Sequence, residues 1–153
     1  MPSTEDHIIG SFAKEFEAIR KAPVAWTMPV LWGDMDSANH VNNLVYLKWA
    51  ETARIKLFET MMDTSFKGTK GPILGWQDCK YIFPMTYPDT AVITCSVKEI
   101  REDRFFLESR IYSHRHQRIA AICNQSIIPY DYQALKKTTL PEEWRVKLES
   151  MII

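Results

Sequence analysis

Between residues 43 and 62 the apolar positions recur at helical spacing. Placed at about 100° per residue, Tyr46, Leu47, Ala50, Leu57, Phe58 and Met61 share one side, and Leu44, Ile55 and Met62 widen it into a broad apolar arc. Lys48, Thr52, Lys56, Glu59 and Thr60 lie opposite. So wide an arc predicts a helix wrapped by other structure, not one lying on a surface. Glu51 and Arg54 fall inside the arc, three residues apart, and can pair with each other.

Downstream the period changes to two, the signature of strands. Strands are predicted at 73–83, 90–101, 104–113 and 118–128. In the second, Ile93, Cys95 and Val97 alternate with Thr94, Ser96 and Lys98. In the third, Phe105, Leu107 and Ile111 oppose Glu108 and Arg110. The fourth is nearly apolar on both faces, as expected for a central strand. Residues 63–72, with Gly68, Gly71 and Pro72, read as a loop, and Pro84 and Pro88 mark a turn region.

Upstream, Ile8, Ile9, Phe12, Phe16 and Ile19 predict a helix over 4–21, with Thr4 as its cap and Pro23 limiting its end. A strand over 24–32 follows. Pro141, Glu142 and Glu143 open a short C-terminal helix, where proline is tolerated and acids suit the dipole. Helix, strand, long helix, four strands, helix: this order predicts an α+β fold in which an antiparallel sheet curls around the long helix.

Composition narrows the classes without deciding among them. The 153 residues suit one domain with a real core. Lysine and arginine balance aspartate and glutamate at 19 each, which argues against a general nucleic-acid binder and leaves little charge to keep copies apart. Cys79, Cys95 and Cys123 have no CxxC spacing, so a reducing compartment and no disulfide framework are expected. No segment is long and apolar enough to span a membrane. The N-terminus has no apolar signal core, and Glu5, Asp6, Glu15 and Glu17 argue against a transit peptide, so a cytoplasmic location is expected.

The chemistry concentrates in residues 30–51. A strand end runs into Asp34 and Asp36. A polar turn with Asn39, His40, Asn42 and Asn43 then opens the long helix. Carboxylates are thereby set beside a helix N-terminus, whose free N–H groups and dipole favour a developing negative charge. N–H donors that can hold a carbonyl oxygen beside a carboxylate suit acyl transfer.

The run Trp-Gly-Asp-Met-Asp-Ser-Ala-Asn-His-Val-Asn-Asn-Leu-Val-Tyr, residues 32–46, resembles the signature of hotdog-fold acyl-CoA thioesterases of the 4-hydroxybenzoyl-CoA thioesterase-like group. Tyr81-Ile82-Phe83-Pro84 and the strands after it also resemble that family, over about residues 24–145. The resemblance implies a hotdog fold over 24–153, with residues 1–23 as an N-terminal helical extension. It implies an acyl-CoA hydrolase in which Asp36 is the nucleophile or general base and a backbone N–H at or near Asn43 polarises the thioester carbonyl. The family's acid on the central helix falls at Glu51. It also implies a homodimer or homotetramer with sites at subunit boundaries, and no cofactor, coenzyme A being part of the substrate. The chain departs from the family at Asn39, where glycine is usual; asparagine tolerates the left-handed region better than most residues.

The residues also carry blander readings. Asp34 suits structural hydrogen bonding. His40 is a candidate catalytic base, or fixes its loop by hydrogen bonding. Asn42 and Asn43 suit helix capping in any case, and Glu51 can be the partner of Arg54. Asn42 and Tyr46 are expected at the substrate. Two basic groups could meet the phosphates of coenzyme A: Lys67 and Lys70, or His114, Arg115, His116 and Arg118. His114 and His116 have strand spacing for a shared metal, but the sequence places no third ligand, and none is expected. An acyl-carrier-protein thioesterase and a non-catalytic acyl-CoA-binding module remain alternatives.

Overall fold

The structure is a computed structural model describing residues 3–13, 16–62 and 68–153. Its elements are α1 (Thr4–Gly10), α2 (Glu17–Lys21), β1 (Val24–Pro29), α3 (Asn43–Met61), β2 (Lys70–Tyr81), β3 (Thr90–Ile100), β4 (Phe105–Ser113), β5 (Arg118–Asp131), β6 (Lys136–Lys137) and α4 (Glu142–Glu149). The strands form one antiparallel sheet in the order β1-β3-β4-β5-β2, with β6 pairing on β5. The long helix α3 lies against its inner face. This is the hotdog architecture, with added helices at both ends.

Alternation along each strand sets the two faces. Ala91, Ile93, Cys95 and Val97 of β3, Phe105, Leu107 and Ile111 of β4, and Ala121, Cys123 and Ile127 of β5 point inward and pack with Tyr46, Trp49, Ala50, Ala53, Leu57, Phe58 and Met61 of α3. Trp144 and Leu148 of α4, with Met151 beyond it, join the same core. Leu44 and Ile55, placed in the apolar arc by their spacing, are exposed in the single chain. The wrapped arc is therefore narrower than its sequence implies.

The periodicity located the elements, and tertiary pairing set their ends. The predicted 4–21 helix is two helices; Gly10 and Ser11, poor helix formers, close the first. Its cap is Ser3, in a reciprocal capping box with Asp6, and not Thr4. Strand β1 stops at Pro29, short of the predicted 32, and Trp32–Asp34 form a 3-10 turn. Strand β2 begins at Lys70, inside the predicted loop. Proline is tolerated on an edge strand, so Pro72 pairs opposite Pro129. The register shifts between Leu74 and Trp76. A Cβ on the intervening Gly75 would meet Ile128 Cδ1 at 2.6 Å. Strand β5 runs on to Asp131, and β6 was not anticipated.

The outer face also departs from simple alternation. Thr94 and Ser96 are 5% and 9% exposed, although the pattern set them opposite the core. Nearby, Phe12 and Ile19 of the N-terminal segment bury Val92 and Tyr112. Glu5 Oε1 accepts the Thr27 N–H of edge strand β1 at 2.7 Å. The extension is packed onto the sheet's back.

One row of paired residues crosses the inner face: Val24, Cys95, Ser109, Cys123 and Cys79, on β1, β3, β4, β5 and β2. The Cys123 and Cys79 sulfurs lie 2.9 Å apart as a thiol–thiol hydrogen bond. Arg54 of α3 is buried near Cys95 and Cys123, and small side chains leave it room. Its Nη2 reaches Glu51 Oε2 at 3.7 Å, while Nη1 is buried without a partner among the described residues. Burial pulls the Arg54 guanidinium below its ordinary range, opposed in part by Glu51.

Candidate active site

The turn between β1 and α3 is held by its own polar groups. Asp34 Oδ2 accepts the Leu31 N–H at 2.8 Å, and the Asp34 carbonyl accepts the Asn42 N–H at 2.9 Å. Asp36 donates its N–H to the His40 carbonyl at 3.0 Å and accepts the Asn39 N–H at 2.9 Å. That tight turn places Asn39 at φ 60°, in the left-handed region. Asparagine thus serves where the family usually has glycine. Asp36 Oδ1 accepts the Ala38 N–H at 2.9 Å; the second carboxylate oxygen makes no hydrogen bond among the described residues.

The helix then starts in a fixed place. Asn42 is its cap: Oδ1 accepts the Leu44 N–H and the carbonyl accepts the Val45 N–H, both at 2.9 Å. The Asn43 N–H, in the first turn, has no partner among the described residues, as expected for a helix N-terminus. Two tyrosines brace the start from the other side. Tyr81, the last residue of β2, donates its hydroxyl to the Asn43 carbonyl at 3.1 Å. The Tyr46 hydroxyl accepts the N–H of the buried Met85 at 3.0 Å, and the Met85 carbonyl accepts the Val41 N–H at 2.9 Å. Burial raises both phenols, that of Tyr81 to about 12, so both act as neutral hydrogen-bonding groups at neutral pH.

These elements enclose a cleft of about 410 Å³ lined by Asp36, Ala38, His40, Val41, Asn43, Tyr46, Tyr81, Ile82, Phe83 and Pro84. Asp36 is its one carboxylate among the described residues. A carboxylate with an unbonded oxygen and an unbonded helix N–H thus share one apolar-walled cleft. That pairing can attack, or activate water toward, a carbonyl whose oxygen is held by the N–H.

Of the residues singled out in sequence, Asp36, His40, Asn43 and Tyr46 come together here. The His40 imidazole is exposed and forms no hydrogen bond among the described residues; only its backbone holds the loop. Asn42 acts as the cap just behind the cleft. Glu51 lies about 12 Å further along α3, at 1.5 Å per residue, exposed and facing Arg54. Lys70 begins the strand whose last residue lines the cleft, about 36 Å away at 3.3 Å per residue, so one chain does not bring it to the site. Lys67 lies outside the described residues. Arg115 is held to the segment before β3: its N–H donates to Asp89 Oδ1 at 2.8 Å and its Nη1 to the Pro88 carbonyl at 3.3 Å. The walls Tyr81, Ile82, Phe83 and Pro84 were not foreseen as site residues, although that segment carried part of the resemblance. The available signal was an aromatic run ending at a proline directly after a strand.

Residues 30–148 match the sequence model of the thioesterase-like superfamily. The chain belongs to that superfamily. It is a thioester hydrolase by family, and its hotdog fold recurs among solved structures. The PA2801 protein of Pseudomonas aeruginosa is 27% identical, with a TM-score of 0.72 over 80% of this chain and 95% of its own. A 1,4-dihydroxy-2-naphthoyl-CoA thioesterase from Synechocystis is 16% identical, with a TM-score of 0.73 over 84% of this chain and 96% of its own. A DHNA-CoA thioesterase from Staphylococcus aureus is 14% identical, with a TM-score of 0.72 over 83% of this chain and 89% of its own. No curated protein matches the chain at significant similarity.

Proposed function

We propose that this thioesterase-superfamily protein hydrolyses acyl-CoA thioesters to the free carboxylic acid and coenzyme A. The observation that carries the reading is the shared cleft, lined both by Asp36 and by Asn43; one Asp36 carboxylate oxygen and the Asn43 N–H have no hydrogen-bond partner among the described residues. The thioester carbonyl oxygen accepts the Asn43 N–H and gains from the positive end of the α3 dipole. One such donor is worth about 3–4 kcal/mol in comparable sites. Asp36 then either attacks the carbonyl carbon, forming a mixed anhydride that water opens, or takes a proton from the water that attacks. The carbon–sulfur bond breaks and the electron pair leaves with sulfur. A thiolate is a good leaving group, so its departure places little demand on an acid. His40 lines the cleft with an exposed ring that makes no hydrogen bond among the described residues.

The apolar walls Val41, Tyr46, Ile82, Phe83 and Pro84 suit an acyl group. The reading extends to a homo-oligomer with sites at subunit boundaries, and the edge strand supports it: among the described residues β2 pairs on one side only, and it exposes Ile73 and Trp76. Light scattering coupled to size exclusion reads that part directly. The activity is tested by thiol release from a panel of acyl-CoA thioesters of differing acyl groups. Release above the uncatalysed rate from at least one member is expected, and release from none would remove the hydrolase reading.

A further inference from the structure

Beside the cleft, Phe83 carries two basic partners. The Arg118 guanidinium lies over its ring, Cζ 4.5 Å from the centroid. The His116 ring packs against it at 5.0 Å. Phe83 itself lines the cleft, and its N–H donates to the Ala120 carbonyl at 3.0 Å, fixing it to the start of β5.

Arg118 stands apart from the other arginines. Among the described residues, every other guanidinium has an acidic or carbonyl partner: Arg20, Arg115 and Arg145 reach carbonyls, and Arg54, Arg101, Arg104 and Arg110 reach carboxylates. Arg118 has neither. The Phe83 ring satisfies the cation without taking its N–H groups in hydrogen bonds, and the aromatic platform restrains a side chain that would otherwise be mobile. That geometry suits an oxyanion of phosphate type, which a guanidinium grips by two N–H groups at once.

We propose that Arg118 on Phe83, with His116 beside it, is the binding site for the phosphate-bearing nucleotide half of the leaving group. The proposal rests on the thioesterase reading. With the reacting carbonyl at Asn43, the leaving thiol and its pantetheine arm must run out of the cleft, and Phe83 forms the wall that adjoins Arg118 and His116. The pairing assigns the phosphates to Arg118 and His116. Arg115, held by hydrogen bonds to Asp89 and Pro88, is not part of the site. Coenzyme A carries phosphates beyond its pantetheine arm for such a site to hold, and an acyl-pantetheine has none.

The test compares Arg118→Gln with the wild type on one acyl group carried by coenzyme A and by pantetheine. The ratio of kcat/KM for acyl-CoA to that for acyl-pantetheine should fall on the order of tenfold in the variant, as expected for one charge-assisted contact near the surface. Its salt dependence should fall with it. An unchanged ratio in a variant that still hydrolyses both would overturn the subsite while leaving the hydrolase reading intact. If the wild type hydrolyses neither, the hydrolase reading fails, and calorimetric titration with coenzyme A itself decides the subsite. Binding weakened about tenfold in Arg118→Gln supports it, and equal binding overturns it.

Discussion

The Tyr81 hydroxyl donates to the Asn43 carbonyl at 3.1 Å, joining the end of edge strand β2 to the first turn of α3. The contact fixes the orientation of the helix start from outside the helix, beside the N–H proposed to hold the thioester oxygen. Tyr81→Phe removes the bond and keeps the ring. A hydrogen bond of this kind contributes about 1 kcal/mol, so kcat should fall by roughly three- to tenfold while the melting temperature changes little. Steady-state kinetics beside a thermal melt separates the two. A large loss of stability with unchanged kcat would show that Tyr81 braces the fold and not the site.

Phe12 and Ile19 seal Val92 and Tyr112 on the outer face of the sheet. If residues 1–23 were a loose extension, truncating these side chains would cost little. The packing predicts otherwise: Phe12→Ala should destabilise the whole domain by about 3 kcal/mol, seen as a lower urea midpoint in one cooperative transition. A loss below about 1 kcal/mol would mean that the segment is not part of the folding unit.

Arg54 is a buried cation whose partner Glu51 is exposed. An ion pair so placed gives little net stability, and an apolar residue of similar size is often tolerated or better. Arg54→Met should therefore leave the urea midpoint unchanged or raise it. A loss above about 3 kcal/mol would show that the guanidinium has a partner beyond its own chain.

Burial raises the Cys95 thiol to about 12 from 9.0. The folded chain thus holds a proton that the unfolded chain releases across that window. Stability from this group is complete below pH 9 and is lost as pH rises toward 12. Cys95→Ala should flatten the alkaline decline in unfolding free energy by close to one proton's slope, measured by urea titration from pH 8.5 to 10.5. Cys79, half-buried on the edge strand, is held below the ordinary thiol range chiefly by the hydrogen bond from Cys123. It should react first with a thiol reagent at neutral pH. Equal labelling of Cys79 and Cys95 would contradict this.

Much of this molecule is legible in the chain because its strongest signals are periodic. The apolar arc of 43–62 and the alternation of 90–113 yield the helix and sheet, and the polar turn before Asn43 yields the carboxylate beside a helix end. Signals that depend on distant partners were hidden. The burial of Thr94 and Ser96 depends on what packs on the sheet's back, and the start of β2 at Lys70 depends on Asp131 opposite. Phe83 reaches the cleft, and Arg118 reaches Phe83, through strand pairing across 35 residues of sequence. Lys70 is basic and near glycines, features that say nothing about its place at the far end of β2 from Tyr81 within one chain.

The central claim is that Asp36 acts on the thioester. The most direct measurement is thiol release from the best acyl-CoA substrate by the wild type and by Asp36→Asn, each verified as folded by circular dichroism. Asparagine keeps an oxygen that can accept the Ala38 N–H and removes the charge that attacks or takes a proton. The predicted result is a drop in kcat of at least about 100-fold with KM little changed. A folded Asp36→Asn protein that turns over at the wild-type rate would contradict the account.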